Sequence, residues 1–271
     1  MKAILFHGAN LLSSIYAQFL KVVWKLNKKK FHKIKVYENT KLKFSHYGDI
    51  ATILYSLQHL VRFNRGFEFT TLSKYHSVVK QGDVILDIGA NIGLFSILGS
   101  KLVGASGKVY AFEPNVATYD ALKENIRLND CTNVYPQFLA LSDKKGFVVL
   151  TQPEEVSKDF QYSDAFSFMD LKQTASEENG VATLPLDDFL VENSISKVDV
   201  IKIDIEGAEF LCFKGAIKLL SSPDAPIIIM ECDEQYTGRF DYKVADVIVF
   251  LYNLGYRLEQ YEEGQWIAFP K

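Results

Sequence analysis

Hydrophobic and polar positions change their spacing along the chain in a pattern that predicts alternating strands and helices from residue 83 onward. Residues 84–88 form an apolar run between polar turns, which is typical of a buried strand. After Gly93, apolar residues recur at helical spacing instead. The same patterns predict strands at 109–113, 134–138, 146–151, 198–203 and 227–230, and helices at 116–129, 210–220 and 244–254. Strands that alternate with helices predict an α/β fold with a doubly wound, mostly parallel sheet.

The last part of the sequence is predicted to close this sheet with an antiparallel hairpin. Residues 256–261 and 265–269 are predicted strands, and the three residues between them are too few for any other connection. A parallel sheet that ends in one antiparallel hairpin is typical of Rossmann-like methyltransferases and differs from the sheet of dehydrogenases.

Residues 1–66 precede the alternating pattern and are predicted to form a small helical and hairpin cap, with the hairpin at 31–44. The main domain is predicted at 67–271. An amphipathic stretch followed by lysines lies within residues 11–33. Such a segment either contacts a membrane surface or packs as a helix on the main domain or on a second subunit.

Residues 152–183 are polar and acidic and show no clean hydrophobic period. A connection of this length is uncommon inside a compact domain and is usually functional. We therefore predict a lid or substrate loop, with a short strand inside it at 165–169.

The turn after the first predicted strand carries the most informative residues. Gly89 and Gly93 permit unusual backbone angles and let a ligand approach the main chain. The turn lacks the G-x-G-x-x-G spacing of dinucleotide-binding proteins, and Asp87 would repel a phosphate but attract a cation. Glu113 ends the next strand, where a carboxylate can accept both ribose hydroxyl protons. S-adenosylmethionine (SAM), a nucleoside with a positively charged tail, fits both Asp87 and Glu113. The alternative is that this segment is an ordinary strand-to-helix turn that binds no ligand.

A second group of charged residues follows the fourth core strand. Lys202, Asp204 and Glu206 alternate along the chain and therefore point to the same side. Ligands bind at this edge of parallel sheets, so Asp204 is predicted to be functional, while Lys202 serves either a ligand or a structural ion pair. Glu231 and Asp233 end the neighbouring strand and could hold Mg²⁺ together with Asp204. The absence of other tight ligand spacing favours a site without a metal.

Composition and charge limit which classes of function and which cellular location the sequence supports. The chain has 271 residues, a formal net charge of -3 and no strongly basic region, which gives no support for nucleic-acid binding. Its 48% hydrophobic content is ample for a buried core. The 3 cysteines are scattered without C-x-x-C spacing, which favours reduced thiols and a cytoplasmic location, with membrane-peripheral contact if residues 11–33 provide it.

Several motifs occur in a fixed order along the chain. They are Glu68, GDVILDIGANIGLFS, FEPN, ALSD, TLPLDDFL, VDVIKIDIEGAE and PIIIMECDE. In this order, over residues 68–269, the sequence resembles the FkbM family of SAM-dependent methyltransferases. The resemblance implies a Rossmann-like methyltransferase fold and SAM as cofactor. It also implies a set of cofactor-binding residues: Glu68, Asp87, Gly89, Ala90, Asn91, Gly93, Glu113, Asn115, Ser142 and Asp143.

The resemblance further assigns roles within this set. The turn that begins at Asp87 would line the methionine part of SAM, Glu113 would hold the ribose, and Ser142 with Asp143 would flank the adenine. Asp204 would lie between cofactor and acceptor. Pro185 departs from the usual form of the family, which should perturb only the local loop.

These expectations combine into an O-methyltransferase that acts on a hydroxyl of a sugar, glycan or glycolipid. Because an aliphatic hydroxyl is a poor nucleophile, Asp204 is predicted to be the catalytic residue that takes its proton. Two other functions stay open. One is a nicotinamide-dependent oxidoreductase on a related sheet, and the other is a non-catalytic module that docks on a membrane or a partner. The sequence does not specify the acceptor or the oligomeric state.

Overall fold

The computed structural model describes residues 34–35, 41–42, 69–151 and 167–271. Glu68, residues 152–166 and most of the predicted cap, with the amphipathic segment 11–33, lie outside the described residues. The two short pieces form β1 (Ile34–Lys35) and β2 (Lys41–Leu42), which pair antiparallel with Ile34 opposite Leu42. This pairing agrees with the hairpin predicted at 31–44.

From residue 69 onward the chain alternates between helices and strands. The helices are α1 (Phe69–Val78), α2 (Leu94–Val103), α3 (Val116–Leu128), α4 (Leu186–Glu192), α5 (Glu209–Lys214), α6 (Ile217–Leu220), α7 (Glu234–Thr237) and α8 (Val244–Asn253). The strands are β3 (Val84–Ile88), β4 (Lys108–Phe112), β5 (Val134–Gln137), β6 (Ala140–Leu141), β7 (Gly146–Thr151), β8 (Phe168–Asp170), β9 (Val181–Leu184), β10 (Val200–Ile203), β11 (Ile227–Glu231), β12 (Tyr256–Glu262) and β13 (Gln265–Pro270).

The main sheet has seven strands in the order β12-β13-β11-β10-β3-β4-β5. Strands β5, β4, β3, β10 and β11 are parallel, and β13 lies antiparallel between β11 and β12. This confirms the predicted doubly wound sheet and its antiparallel hairpin. Strands β3 and β10 are direct neighbours, with Asp87 opposite Lys202, so the two groups of charged residues found in the sequence meet at one edge.

Apolar clusters cover both faces of the sheet, as a buried parallel sheet requires. Leu86 and Ile203 belong to the cluster on one face, and Ile85 belongs to the cluster on the other. Because side chains alternate along a strand, Asp87 and Lys202 share the face of Ile85, and both are buried. Each large apolar side chain buried there contributes about 1.5–3 kcal/mol, so two opposite charges in this layer need a specific reason.

A second, four-stranded sheet has the order β6-β9-β7-β8. Strand β8 lies inside the segment predicted as a lid and pairs antiparallel with β7, with Met169 opposite Leu150. It lies close to the short strand predicted at 165–169, and β9 also begins inside that segment. The sequence analysis did not predict this sheet, because strands of two to four residues are too short to show a period. The lid role of residues 152–166 stays a prediction.

The single helix predicted at 210–220 is wrong, since the chain forms two short helices, α5 and α6, that separate at Gly215 and Ala216. A Cβ atom built at Gly215 would overlap the carbonyl oxygen of Ser142. The chain that carries Ser142 therefore packs against the bare backbone at this point. The apolar positions at 210–220 have an unbroken helical spacing, so the sequence could not predict this contact with the distant residue Ser142.

Replacing Gly215 tests this packing. Gly215→Ala is expected to lower the free energy of unfolding by about 1–3 kcal/mol, because its methyl group would press on backbone atoms that cannot move aside. Gly238→Ala is the matched control, since Gly238 has an ordinary helical backbone and no atom within 4 Å of its Cβ position. Urea denaturation of both variants measures the difference. Equal stability would contradict the proposed contact.

Candidate active site

The turn after β3 packs directly against the end of β10. Gly89 has a φ of 78°, and a Cβ atom built there would overlap the carbonyl oxygen of Asp204. The backbone N–H groups of Gly89 and Ala90 both donate to the carbonyl of Phe112, at 3.0 and 2.9 Å. Asp204 donates its own N–H to Ile88 at 3.0 Å. The ends of β3, β4 and β10 are therefore fixed to one another around this turn.

The remainder of the turn leads into α2 through two further unusual residues. Asn91 has a φ of 50° and accepts the N–H of Ile92 on its side-chain oxygen at 2.7 Å. The buried side chain of Asn125 donates to the carbonyl of Ile92 at 2.9 Å. Gly93 has a φ of 97°, and a Cβ atom there would lie 2.6 Å from Leu122 of α3. Positive φ and the lack of space both explain the glycine at this position.

Asp87 is a fully buried carboxylate in β3, one residue before the strand ends and the turn begins. Ser96 on α2 donates its hydroxyl to Oδ2 of Asp87 at 2.5 Å. The other oxygen, Oδ1, has no hydrogen-bond partner among the described residues. Burial raises the pKa of Asp87, while the charge of Lys202 and the hydrogen bond from Ser96 act against that rise. A buried acid with one unpaired oxygen suits a ligand that brings a cation or an N–H donor.

Glu113 lies directly after β4 and is also buried. Its two oxygens accept the backbone N–H groups of Asn91 at 2.9 Å and Asn115 at 2.8 Å. Burial, with a further contribution from the Asp87 charge, raises the pKa of Glu113 to about 7. Each carboxylate oxygen can accept more than one hydrogen bond, so capacity for a ligand hydroxyl is left. Asp87 and Glu113 thus approach the same turn from two strands.

Asn115 connects this region to the second sheet. Its side-chain oxygen accepts the N–H groups of Ala117 at 3.0 Å and Thr118 at 3.2 Å and so caps α3. Its amide donates to the hydroxyl of Ser167 at 3.3 Å. The predicted site residue Asn115 is therefore an N-cap that also holds the residue before β8.

The end of β10 carries an ion pair between a buried lysine and a partly exposed aspartate. The ammonium of Lys202 lies 3.1 Å from Oδ2 of Asp204 and 4.9 Å from the centre of the Phe95 ring. Asp204 also accepts a side-chain hydrogen bond from Glu231. Burial disfavours the charge of Asp204, but Lys202 and Glu231 outweigh it and hold the pKa of this carboxyl below its usual value. Asp204 therefore stays ionised next to the turn.

The loop after Asp204 is held from within by another buried acid. Glu209 at the start of α5 accepts the N–H groups of Ile205 at 3.0 Å and Gly207 at 3.3 Å on one oxygen. Its other oxygen has no partner among the described residues. Burial raises the pKa of Glu209 to about 7. Between these bonds, Glu206 takes a left-handed backbone conformation with a φ of 55°.

Arg239 and Tyr236, two residues that the sequence analysis missed, surround this loop together with Phe168. Arg239, in the 3-10 turn Gly238–Phe240, donates to the Glu206 carbonyl at 3.3 Å and lies 3.6 Å from its carboxylate. The guanidinium lies 4.3 Å from the ring centre of Phe168 and 5.1 Å from that of Tyr236. Burial and the charge of Glu206 raise the pKa of Tyr236, so its hydroxyl stays protonated. The sequence signal that could have revealed these residues is an arginine among aromatic residues shortly after the end of β11.

Several predicted residues make local structural contacts. Ser142 donates to Asp143, which pairs with Lys214 at 3.8 Å near the end of α5. Among the contacts described for residues 69–151 and 167–271, none joins Ser142 or Asp143 to the turn or to Glu113, and their adenine role stays a prediction. Asp233 caps α7 by accepting the N–H of Gln235 at 2.9 Å. Within the described ranges, no three His, Cys, Asp or Glu side chains are placed to hold a metal ion.

Both groups of charged residues lie inside a single match to a known domain. The sequence model of the methyltransferase FkbM domain matches residues 87–258 of the chain, which include both the turn at Gly89 and the loop at Glu206. The chain belongs to the FkbM methyltransferase domain family. Membership confirms the predicted family and the predicted cofactor, SAM. The unpaired oxygen of buried Asp87 fits such a ligand.

Three curated relatives of this FkbM domain are methyltransferases. Methyltransferase sdnD of Sordaria araneosa is 34% identical, over 48% of this chain and 59% of its own length. The hexuronic acid methyltransferase AglP of Haloferax volcanii is 28% identical over 55% and 56% of the two chains. The 31-O-demethyl-FK506 methyltransferase FkbM of Streptomyces tacrolimicus is 29% identical over 48% and 58%. The chain thus matches little more than half the length of each relative.

No helix among the described residues of the FkbM domain is both long and apolar enough to cross a membrane. The contact with a membrane surface predicted for residues 11–33 concerns residues outside the described part and stays a prediction.

The pH dependence of the free energy of unfolding tests whether buried Glu209 holds a proton near neutral pH. Its pKa lies near 7 in the folded chain, against an ordinary value of 4.5, so the folded state binds more protons than the unfolded state between those values. The contribution of Glu209 to the free energy of unfolding is therefore lost as the pH rises through this window. In Glu209→Gln, the free energy of unfolding should fall less between about pH 5 and 7 than in the wild type, as measured by urea denaturation.

The control for this measurement is Glu192→Gln, which changes an exposed glutamate at the end of α4. It should keep the pH dependence of the wild type. An unchanged pH dependence in Glu209→Gln would show that Glu209 does not hold a proton in the folded state near neutral pH.

Proposed function

We propose that this FkbM domain transfers a methyl group from SAM to a hydroxyl of a sugar, glycan or glycolipid. One observation carries the proposal: the backbone of Gly89, in the turn that would hold the cofactor, packs on the carbonyl of Asp204. An ionised acid therefore adjoins the cofactor turn directly, at the edge of the sheet where ligands bind in this type of fold.

The cofactor side would be formed by two acids and a turn. When bound, SAM supplies a methyl group made electrophilic by the attached sulfonium. Asp87 would offer its unpaired oxygen to the positively charged amino-acid part, and Glu113 would accept hydrogen bonds from the ribose. Gly89 and Gly93 would shape the turn around the ligand, since both take a positive φ and neighbouring protein atoms fill the space beside each of them. These assignments follow from charge, burial and chain position.

The acceptor side would begin at Asp204. Its carboxylate is a quarter exposed and remains charged beside Lys202, so it can accept a hydrogen bond from an incoming hydroxyl and orient it. Orientation of two reactants in line is the largest contribution that such a site can make to methyl transfer. Tyr236 and Phe168 present aromatic rings near the same loop, a surface that suits the apolar face of a sugar.

The names of the relatives support an oxygen acceptor of this class. One is named for a hexuronic acid and another for a 31-O-demethyl compound. A small molecule or glycan that bears a free hydroxyl is therefore the proposed partner of this chain, without a role for nucleic acid. The chain lacks the third glycine that a dinucleotide pyrophosphate requires, which argues against the nicotinamide alternative.

Loss of the Asp87 charge should weaken the cofactor complex. Asp87→Asn keeps the shape and the acceptor for Ser96 but removes a charge-assisted contact worth about 1.5–3 kcal/mol, so SAM affinity in calorimetry should fall about 10- to 100-fold. Asp120→Asn, at an exposed residue on α3, should bind SAM as the wild type does. Unchanged affinity in a folded Asp87→Asn variant would refute the cofactor assignment.

Mass spectrometry tests the acceptor class. Glycans and lipids of the source organism, with and without the gene, should differ by the mass of one methylene unit in the product. Restoring the gene with Asp204→Asn should give less methylated product than restoring the wild-type gene, although the purified variant should still bind SAM. If the glycan and lipid masses do not depend on the gene, the proposed function is wrong.

A further inference from the structure

Glu206 occupies a backbone conformation that a glutamate rarely adopts. Its φ of 55° lies in the left-handed region, and the next residue, Gly207, has a φ of 104°. A Cβ atom at Gly207 would lie 2.5 Å from the carbonyl oxygen of Tyr236, so the loop is pressed against α7. Tyr242 also donates its hydroxyl to the Gly207 carbonyl. Such strained positions concentrate at functional sites, because surrounding contacts must hold them.

The packed elements present four titratable or charged groups to the Glu206 carboxyl. Asp204 precedes it on the same loop, Glu209 follows on α5, Tyr236 lies on α7, and Arg239 lies on the 3-10 turn. Arg239 holds the backbone carbonyl of Glu206 as well as its carboxylate, which fixes the direction of the side chain. The ion pair is loose at 3.6 Å and the Glu206 side chain is 14% exposed, so the carboxylate keeps the capacity to accept a hydrogen bond from a hydroxyl.

Asp204 is more fully engaged than Glu206. One of its oxygens binds the Lys202 ammonium at 3.1 Å, and Glu231 donates a further hydrogen bond to it. A carboxylate stabilised by a buried cation and by a neighbouring acid holds its charge strongly and is a weak base. It can orient a hydroxyl, but it has little tendency to take the proton.

We propose that Glu206 is the catalytic residue that takes the proton of the acceptor hydroxyl, and that Asp204 orients the hydroxyl. This inference rests on the proposed function. As the O–H bond breaks, its proton goes to the Glu206 carboxylate and the oxygen forms the new bond to the methyl carbon. The methyl–sulfur bond breaks, and its electron pair returns to sulfur, which becomes neutral.

The electrostatics of the loop agree with this role. Burial and then the charge of Asp204 raise the pKa of Glu206 to about 7, with Arg239 acting in the opposite direction. A general base is most effective when its pKa lies near the working pH. The base must be ionised to act, so kcat/KM should rise with pH up to about 7 and then level off.

The test uses an acceptor from the organism itself. The glycan and lipid extract of cells that lack the gene is incubated with the purified full chain and SAM labelled at the methyl carbon, across about pH 5.5 to 8.5. Four variants are compared with the wild type: Glu206→Gln, Glu206→Asp, Asp204→Asn and, as an exposed control, Glu192→Gln. Calorimetry with SAM and thermal unfolding are recorded for each variant.

Glu206→Gln should bind SAM as the wild type does, lose about 100-fold or more in rate and lose the rise with pH. Glu206→Asp should recover part of the rate, since it restores a carboxylate. Asp204→Asn should be slower but keep the rise with pH, and Glu192→Gln should behave as the wild type.

If Glu206→Gln keeps the rise with pH or most of the rate, or if Asp204→Asn alone abolishes the rise, the assignment of Glu206 is wrong while the proposed function stands. Absence of labelled product with the wild type would instead overturn the proposed function, and the assignment of Glu206 with it.

Discussion

The site depends on one backbone contact, between Gly89 at the end of β3 and the carbonyl of Asp204 at the end of β10. No side chain fits between them, so the two loops approach as closely as main chains can. Hydrogen bonds from Asp204 to Ile88, and from Gly89 to Phe112, fix three strand ends in register. Asp204 is thereby held beside the turn at Gly89, and neither of the two loops can shift alone.

A series of contacts extends from this point around the edge of the sheet. On one side Glu113 binds the N–H of Asn115, whose amide binds Ser167 before β8. On the other side, Phe168, the residue after Ser167, lies against Arg239, and Arg239 in turn contacts Glu206. The small second sheet therefore connects the proposed cofactor side with the proposed acceptor side. This explains why a segment without any hydrophobic period contributes to the site.

The sequence was sufficient for the main sheet, because β3 and β4 are mostly apolar, with Asp87 near the end of β3 and Glu113 directly after β4. It also placed Asp87, Glu113 and Asp204 at one edge, since the carboxyl ends of parallel strands meet there. It failed for Arg239 and Tyr236, which reach the loop from a separate short helix and turn with no periodic pattern. It also failed for the break at Gly215, which is caused by the chain at Ser142, far away in the sequence.

Glu113, Glu206 and Glu209 each have a pKa of about 7, raised mainly by burial. The net charge of such a group of acids would respond to a ligand that binds beside it. A positively charged ligand favours their ionised forms and expels protons into the solvent, whereas a neutral molecule that displaces water favours proton uptake. Binding beside these acids would therefore exchange protons with the surrounding buffer, and acidification would weaken their attraction for cations.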